Sequence, residues 1–70
     1  MPADLLTPAR VQAIRRTVAV STKEFEQTFR VSARAMEDCE QGRRRPNQAM
    51  QALLRIIEQE PEAARRALAS

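Results

Sequence analysis

Apolar residues recur at helical spacing along most of the chain, and a polar residue with capping ability stands before each apolar run. The first run places Val11, Ile14 and Val18 on one face of a helix that we predict over about residues 8–18. Thr7 is the predicted N-cap of this helix. Pro8 occupies its first position, where the missing N–H breaks no hydrogen bond.

A second helix begins with the strongest local start signal in the chain. The segment 21–24 has the Ser-x-x-Glu spacing of a capping box, and Val20 and Phe25 are spaced to form a hydrophobic staple around it. We predict this helix over about residues 22–29.

The same pattern returns after a short gap. Ser32 is the predicted N-cap of a third helix, which begins at Ala33 and ends near Gln41. Val31 and Met36 have the spacing of a second staple.

Gly42, the only glycine, follows the third helix where a residue with positive φ is favoured, and the basic segment 43–46 ends in a proline that stops the helix. Two C-terminal helices are predicted over residues 47–58, capped by Asn47, and over residues 61–69. Their apolar residues are assigned to the core or to a dimer interface, two alternatives that the sequence alone does not separate: Met50, Leu53, Leu54, Ile57 and Leu68.

Length and composition predict one all-α domain. The chain of 70 residues suffices for a single domain at residues 8–70, after a short N-terminal tail at residues 1–7. Its only aromatics are Phe25 and Phe29, so aliphatic side chains on helices must build the core. Because a domain of this size hides only about 60% of the surface of its unfolded chain, we also expect a partner subunit.

Charge narrows the class of partner. Arginine supplies eleven of the twelve basic residues, and the net charge of +3 favours a polyanion. Arginine enrichment also accompanies GC-rich genomes. The clusters at 15–16, 43–45 and 65–66 therefore carry more weight than any single arginine.

Enzymatic and membrane functions are not expected. The chain has no histidine and a single cysteine, Cys39, which excludes an internal disulfide, the usual zinc sites and the usual general base. We predict no metal and no cofactor, and we assign Cys39 to the core. The segment 1–6 lacks the regions of a signal peptide, and no apolar run approaches the roughly 20 residues that cross a bilayer, so a soluble cytoplasmic protein is expected.

Two short helices separated by about three residues are typical of a helix-turn-helix, which we place at residues 21–42. In such a unit the first helix crosses the DNA backbone and the second lies in the major groove. The residues expected to form its buried apolar seam are Phe25, Phe29, Val31, Met36 and Cys39.

Three segments also carry a family resemblance. Residues 39–46 read Cys-Glu-Gln-Gly-Arg-Arg-Arg-Pro, residues 53–58 read Leu-Leu-Arg-Ile-Ile-Glu, and residues 61–63 read Pro-Glu-Ala. With them, about residues 8–69 resemble helix-turn-helix regulators of the phage-repressor (Cro, XRE) type, especially the DNA-binding domains of HigA- and MqsA-like antitoxins. The resemblance implies a five-helix lambda-repressor-like DNA-binding domain.

The resemblance also implies roles for individual residues. Thr22 and Ser32 would bind phosphates, and Arg34 would pair with guanine while an acidic residue accepts from cytosine. Arg45 would approach the minor groove. A structural pair between Arg15 and Glu40 would hold the first helix to the third. The full implied DNA-binding set is Thr22, Lys23, Ser32, Ala33, Arg34, Glu37, Asp38, Arg43, Arg44 and Arg45.

Two positions depart from the family pattern. Glu26 stands where relatives have alanine under the crossing third helix, and Arg30 stands where they have the turn glycine. A non-glycine residue at positive φ costs about 1 kcal/mol. A buried unpaired carboxylate costs several times more, unless Glu26 swings out or meets a cation.

The function implied is a transcriptional repressor that binds double-stranded DNA as a homodimer on an inverted repeat and regulates its own operon, with half-sites about one helical turn apart. The setting is either an antitoxin, with a toxin as partner, or a regulator from a phage or mobile element, such as an autorepressor beside anti-CRISPR genes. The alternative is a degenerate helix-turn-helix that acts as a protein-binding module, which would explain Glu26, Arg30 and the acidic third helix.

Overall fold

The computed structural model describes residues 6–69, and these residues form helices and loops without a β-strand. The helix bounds are α1 (Pro8–Arg16), α2 (Thr22–Phe29), α3 (Ala33–Glu40), α4 (Gln48–Gln59) and α5 (Pro61–Ala69). The prediction of an all-α chain with five helices is confirmed. The first helix ends at Arg16 rather than near residue 18, because Thr17 and Val18 turn back and donate to the carbonyls of Ile14 and Arg15, each at 3.1 Å.

Four of the helices begin at a side-chain cap. In each case a side-chain oxygen accepts from the backbone N–H three residues later, at distances between 2.8 and 3.3 Å. Each cap satisfies one of the N–H groups that a helix N-terminus leaves without a partner. The capping residues were all predicted from the sequence: Thr7, Ser21, Ser32 and Asn47.

The predicted staple between Val20 and Phe25 is wrong. Val20 is 88% exposed and Phe25 is fully buried, so the two side chains do not pack. Ala19 takes the inward position instead. The backbone N–H of Val20 donates to Glu24 at 2.7 Å, so the capping box closes one residue earlier than the standard pattern and turns the Val20 side chain outward.

The core draws on all five helices. α1 packs on α3 and α4, α2 packs on α3 and α5, and α4 packs on α5. The predicted seam is confirmed, with Val31 half-buried against the core. The buried apolar residues are Val11, Ile14, Ala19, Phe25, Phe29, Met36, Cys39, Leu54, Ile57 and Ala64.

The C-terminal helices divide their apolar residues between the interior and the surface. Leu54 and Ile57 are fully buried, and Met50 and Leu53 are half-buried against the core. Leu68 is 38% exposed. The alternative between core and dimer interface is thus resolved in favour of the core for Leu54 and Ile57 only.

Candidate nucleic-acid interface

A three-residue turn, residues 30–32, joins α2 to α3. Arg30 ends α2 in the left-handed region with φ 62° and ψ 33°, and its N–H donates to the carbonyl of Glu26 at 2.7 Å. This is the positive φ expected where the helix-turn-helix regulators that the sequence resembles have glycine. The Glu26 side chain is exposed, so the predicted cost of a buried carboxylate does not arise.

The outer face of α3 presents both charge signs. Arg34 is 83% exposed at its side chain, and Ala33 beside it is half-buried. Glu37, one turn further along, accepts a hydrogen bond from the Thr22 hydroxyl at 2.9 Å. The structure therefore brings together two residues with different predicted roles, and their hydrogen bond joins the N-terminus of α2 to the middle of α3.

Asp38 lies beneath a cluster of arginines. Its carboxylate is 3.1 Å from Nη2 of Arg43, 3.9 Å from Nε of Arg34 and 4.0 Å from Nη2 of Arg44. The Asp38 side chain is 13% exposed, whereas the arginine side chains are between 59% and 83% exposed. A mostly covered carboxylate thus lies under exposed guanidinium groups. We call Asp38 together with Arg34, Arg43 and Arg44 the Asp38 cluster.

The loop after α3 folds back onto the same residue. Gly42 has φ 79°, and a Cβ there would meet Pro8 at an ordinary contact distance of 3.4 Å, so the backbone conformation is what favours glycine. The N–H groups of Arg43 and Arg44 both donate to the carbonyl of Asp38, at 2.8 and 3.3 Å. Both the backbone and the side chain of Asp38 therefore hold the loop.

Arg45 differs from its neighbours in the loop. Its side chain forms no ion pair within the part of the chain that the structure describes, and it is exposed. Lys23 and Ser32 are exposed as well, and the Ser32 hydroxyl oxygen accepts from Ala35 at 3.3 Å as the cap of α3. Several of the predicted phosphate-binding groups are therefore accessible.

On the opposite side of α3, Glu40 meets Arg15 of α1. Nε and Nη2 of Arg15 donate to the two carboxylate oxygens at 2.9 and 3.0 Å, and the side chains are only 7% and 8% exposed. Nη1 of Arg15 also donates to the carbonyls of Ala19 and Val20, at 3.3 and 2.7 Å. One guanidinium thus ties α1 to α3 and to the turn before α2.

The same contact shifts the titration of Arg15. The hydrogen bonds to Glu40 raise the pKa of Arg15 above its ordinary value, desolvation opposes this rise, and the charge of Glu40 adds to it. Arg15 therefore stays charged despite its burial. A buried ion pair of this kind needs all its hydrogen bonds, and every described buried polar side-chain atom has a partner.

Sequence reasoning missed one long-range ion pair. Arg10 of α1 donates from Nε and Nη2 to the carboxylate of Glu58 on α4, with a shortest distance of 2.9 Å. The two residues are 48 positions apart, and no local pattern connects them. This half-exposed pair links α1 to α4 on the surface.

Cys39 lies between the two carboxylates in sequence but points into the core. Its thiol is free and 2% exposed, as predicted. Burial raises its pKa above the ordinary value of 9.0, and the nearby charge of Arg44 only partly offsets this. A protonated, buried thiol is a poor nucleophile and a poor metal ligand.

Residues 6–69 contain no group of three or more metal-ligating side chains. Within the same range, no helix has the length and apolar character needed to cross a membrane. Comparison with protein-family models, curated proteins and solved structures found no match to this chain.

Proposed function

We propose that the chain is a lambda-repressor-like transcriptional regulator whose helix-turn-helix is formed by α2, the turn 30–32 and α3. The observation that carries the proposal is the placement of four exposed arginines around α3, a helix supported from behind by α1 and α2. Such a basic surface on a short, firmly held helix suits the phosphate-lined major groove. The arginines are Arg34, Arg43, Arg44 and Arg45.

In this proposal α3 enters the major groove with its N-terminal residues at the base edges. Arg34 is the principal base-contacting residue, because its guanidinium is exposed and can donate two parallel hydrogen bonds to guanine. Thr22, Lys23 and Ser32 bind phosphates. The loop 43–45 follows the backbone towards the minor groove.

The chain acts as a homodimer on an inverted repeat. Two exposed apolar side chains on the C-terminal helices favour contact with a second copy of the chain. They are Ile56 of α4, which is 53% exposed, and Leu68 of α5, which is 38% exposed. We assign the dimer to the cytoplasm of a bacterium, where it represses its own operon as an antitoxin or as a phage or mobile-element regulator. No catalytic role is assigned.

A salt titration on duplex DNA of random sequence tests the proposal. Each phosphate contact contributes a slope of about −0.9 to log K against log salt, so a native chain with several contacts loses affinity steeply as salt rises. Replacing Arg43, Arg44 and Arg45 together by alanine should flatten the slope. The control is replacement of Arg65 and Arg66 on α5, which also removes exposed positive charge but leaves α3 and its loop intact.

No binding of the native chain at low salt would overturn the proposal. Equal flattening of the slope by the α5 control would show that net charge, and not the α3 surface, drives binding. Selection of a binding sequence from a random library then identifies the operator. An enriched sequence without two-fold symmetry would contradict the dimer.

The second candidate, a protein-binding module, is favoured by the hydrogen bond between Thr22 and Glu37. That contact occupies a residue proposed for phosphate and a residue proposed for a base. In this case the same titration gives no duplex binding at any salt concentration, and the Glu37→Gln variant also fails to bind duplex DNA. Duplex binding by the native chain decides for the first candidate.

A further inference from the structure

The Asp38 cluster contains one carboxylate and three guanidinium groups, so its members are not equally available to an external anion. Arg43 is the most engaged, since its Nε and Nη2 lie 3.2 and 3.1 Å from the same carboxylate oxygen. Arg34 and Arg44 approach Asp38 only at 3.9 and 4.0 Å. Arg45 has no carboxylate within ion-pair distance among the described residues.

A carboxylate oxygen and a phosphate oxygen compete for the same guanidinium donors. Asp38 is 13% exposed under the arginines, so it does not reach a base or repel a phosphate directly without displacing them. Its negative charge instead neutralises part of the cluster from below. A guanidinium already paired in this way gains less from DNA phosphate than an unpaired one.

We propose that Asp38 acts as an internal substitute for DNA phosphate, which occupies Arg43 and thereby limits binding that does not depend on sequence. This inference rests on the proposed function and gives Asp38 a positioning role in place of the predicted contact with cytosine. Arg45 makes the full contribution of one phosphate contact. Arg43 contributes little until Asp38 is displaced, and this missing contribution lowers the affinity for random DNA. The fraction of the total affinity that comes from base contacts then rises, because the phosphate contribution shared by all sequences is smaller.

The test compares two single variants of the loop on a random duplex across a salt series. At about 50 mM salt, Arg45→Ala is expected to weaken binding roughly tenfold, the contribution of one full phosphate contact. Arg43→Ala is expected to weaken it by less than about threefold, since its charge is already paired. Both residues are exposed loop positions, so neither change removes a core side chain.

Replacing Asp38 by asparagine should restore a large cost to Arg43→Ala. Asp38→Asn alone should tighten binding to random DNA and steepen the salt slope by about 0.9, the value for one released contact. Arg43→Ala should then cost about tenfold, as Arg45→Ala does in the native chain. The matched control is Glu62→Gln on α5, which makes the same change in net charge at an exposed residue and should leave the slope unchanged.

Failure of this inference is distinct from failure of the proposed function. If the native chain binds no duplex at low salt, the proposed function falls and the inference falls with it. If the native chain binds and Arg43→Ala costs as much as Arg45→Ala, only the role of Asp38 is overturned. That comparison uses the native background, so it stands even if Asp38→Asn does not fold.

Discussion

Asp38 and Glu40 lie on the same helix, and each binds arginine, but their surroundings differ. Glu40 meets Arg15 in the interior, where both side chains are less than a tenth exposed. Asp38 meets Arg43 at the surface, where the arginine is 59% exposed. The first pair joins two helices, whereas the second joins a helix to the loop that directly follows it.

The difference shows that two nearby residues of α3 hold different kinds of contact, one in the interior and one at the surface. Water screens the Asp38 cluster on its arginine side, so its contribution to the free energy of unfolding is small. The Arg15–Glu40 pair is withdrawn from water, so breaking it leaves an uncompensated charge. Stability and binding can therefore be changed separately on this helix.

The largest effect is expected from Glu40→Ala. This change leaves the Arg15 guanidinium buried without its carboxylate and should lower the free energy of unfolding by about 3–5 kcal/mol. Urea unfolding followed by circular dichroism measures the loss. Glu58→Ala, which breaks the half-exposed pair with Arg10, is the matched control and should cost no more than about 1 kcal/mol. Similar losses in both variants would break the contrast between interior and surface.

The next effect concerns DNA. Arg34→Ala is expected to weaken binding to the selected operator by about 1–3 kcal/mol, with the loss confined to one base position. Arg44→Ala should weaken binding to every sequence alike, since the proposed function assigns it to phosphate. Affinities for a set of single-base operator variants separate the two patterns. Equal losses for both variants on random DNA would contradict these roles.

Cys39 lies between the two carboxylates on the packed side of α3, and its thiol makes the free energy of unfolding depend on pH. The unfolded thiol ionises near its ordinary pKa of 9.0, while burial raises the pKa of the folded thiol, so the folded chain holds the proton longer. The free energy of unfolding is therefore unaffected by this group below pH 9 and falls above it, by up to about 1.4 kcal/mol per pH unit.

Urea unfolding at pH 8 and pH 10 measures this fall. The chain has no histidine and no tyrosine, so few other side chains titrate in the interval. Cys39→Ala should be less stable at both pH values but should lose the part of the slope that comes from the thiol. An unchanged slope in that variant would mean that the thiol does not titrate differently in the two states.

The smallest effect is expected from Asp38→Asn on stability. The ion pairs of the cluster are largely solvated on the arginine side, so the free energy of unfolding should change by less than about 1 kcal/mol. Thermal and urea unfolding of the native and variant chains give the comparison. A loss as large as that of Glu40→Ala would show that Asp38 stabilises the fold as strongly as the buried Arg15–Glu40 pair does.

Much of the fold could be predicted from the sequence because its start signals are local. Ser21 and Ser32 lie within three residues of the N–H groups that they cap, so the local residue pattern predicts those contacts. The staple at Val20 failed for a related reason. Residue spacing does not reveal that the turn after α1 directs Ala19 inward and Val20 outward.

The site was less predictable because its contacts depend on tertiary structure. The sequence does not show that the loop turns at Gly42 and brings Arg43 back onto Asp38. The Arg15–Glu40 contact was expected only through family resemblance, and periodicity alone does not join residues 25 positions apart. The exposure of the arginine partner, 7% for Arg15 and 59% for Arg43, distinguishes the two carboxylates.

The contacts of Arg15 have a consequence for how α3 can move. Its guanidinium holds Glu40 on α3 and, at the same time, the carbonyls just ahead of Ser21 at the start of α2. A rotation of α3 about its own axis would stretch the hydrogen bonds that Arg15 makes to Glu40, so such a rotation costs free energy. In the proposed complex, swivelling α3 to fit a poorly matched DNA site would strain these hydrogen bonds, so the misfit would pass to the DNA, which must bend or twist to meet it.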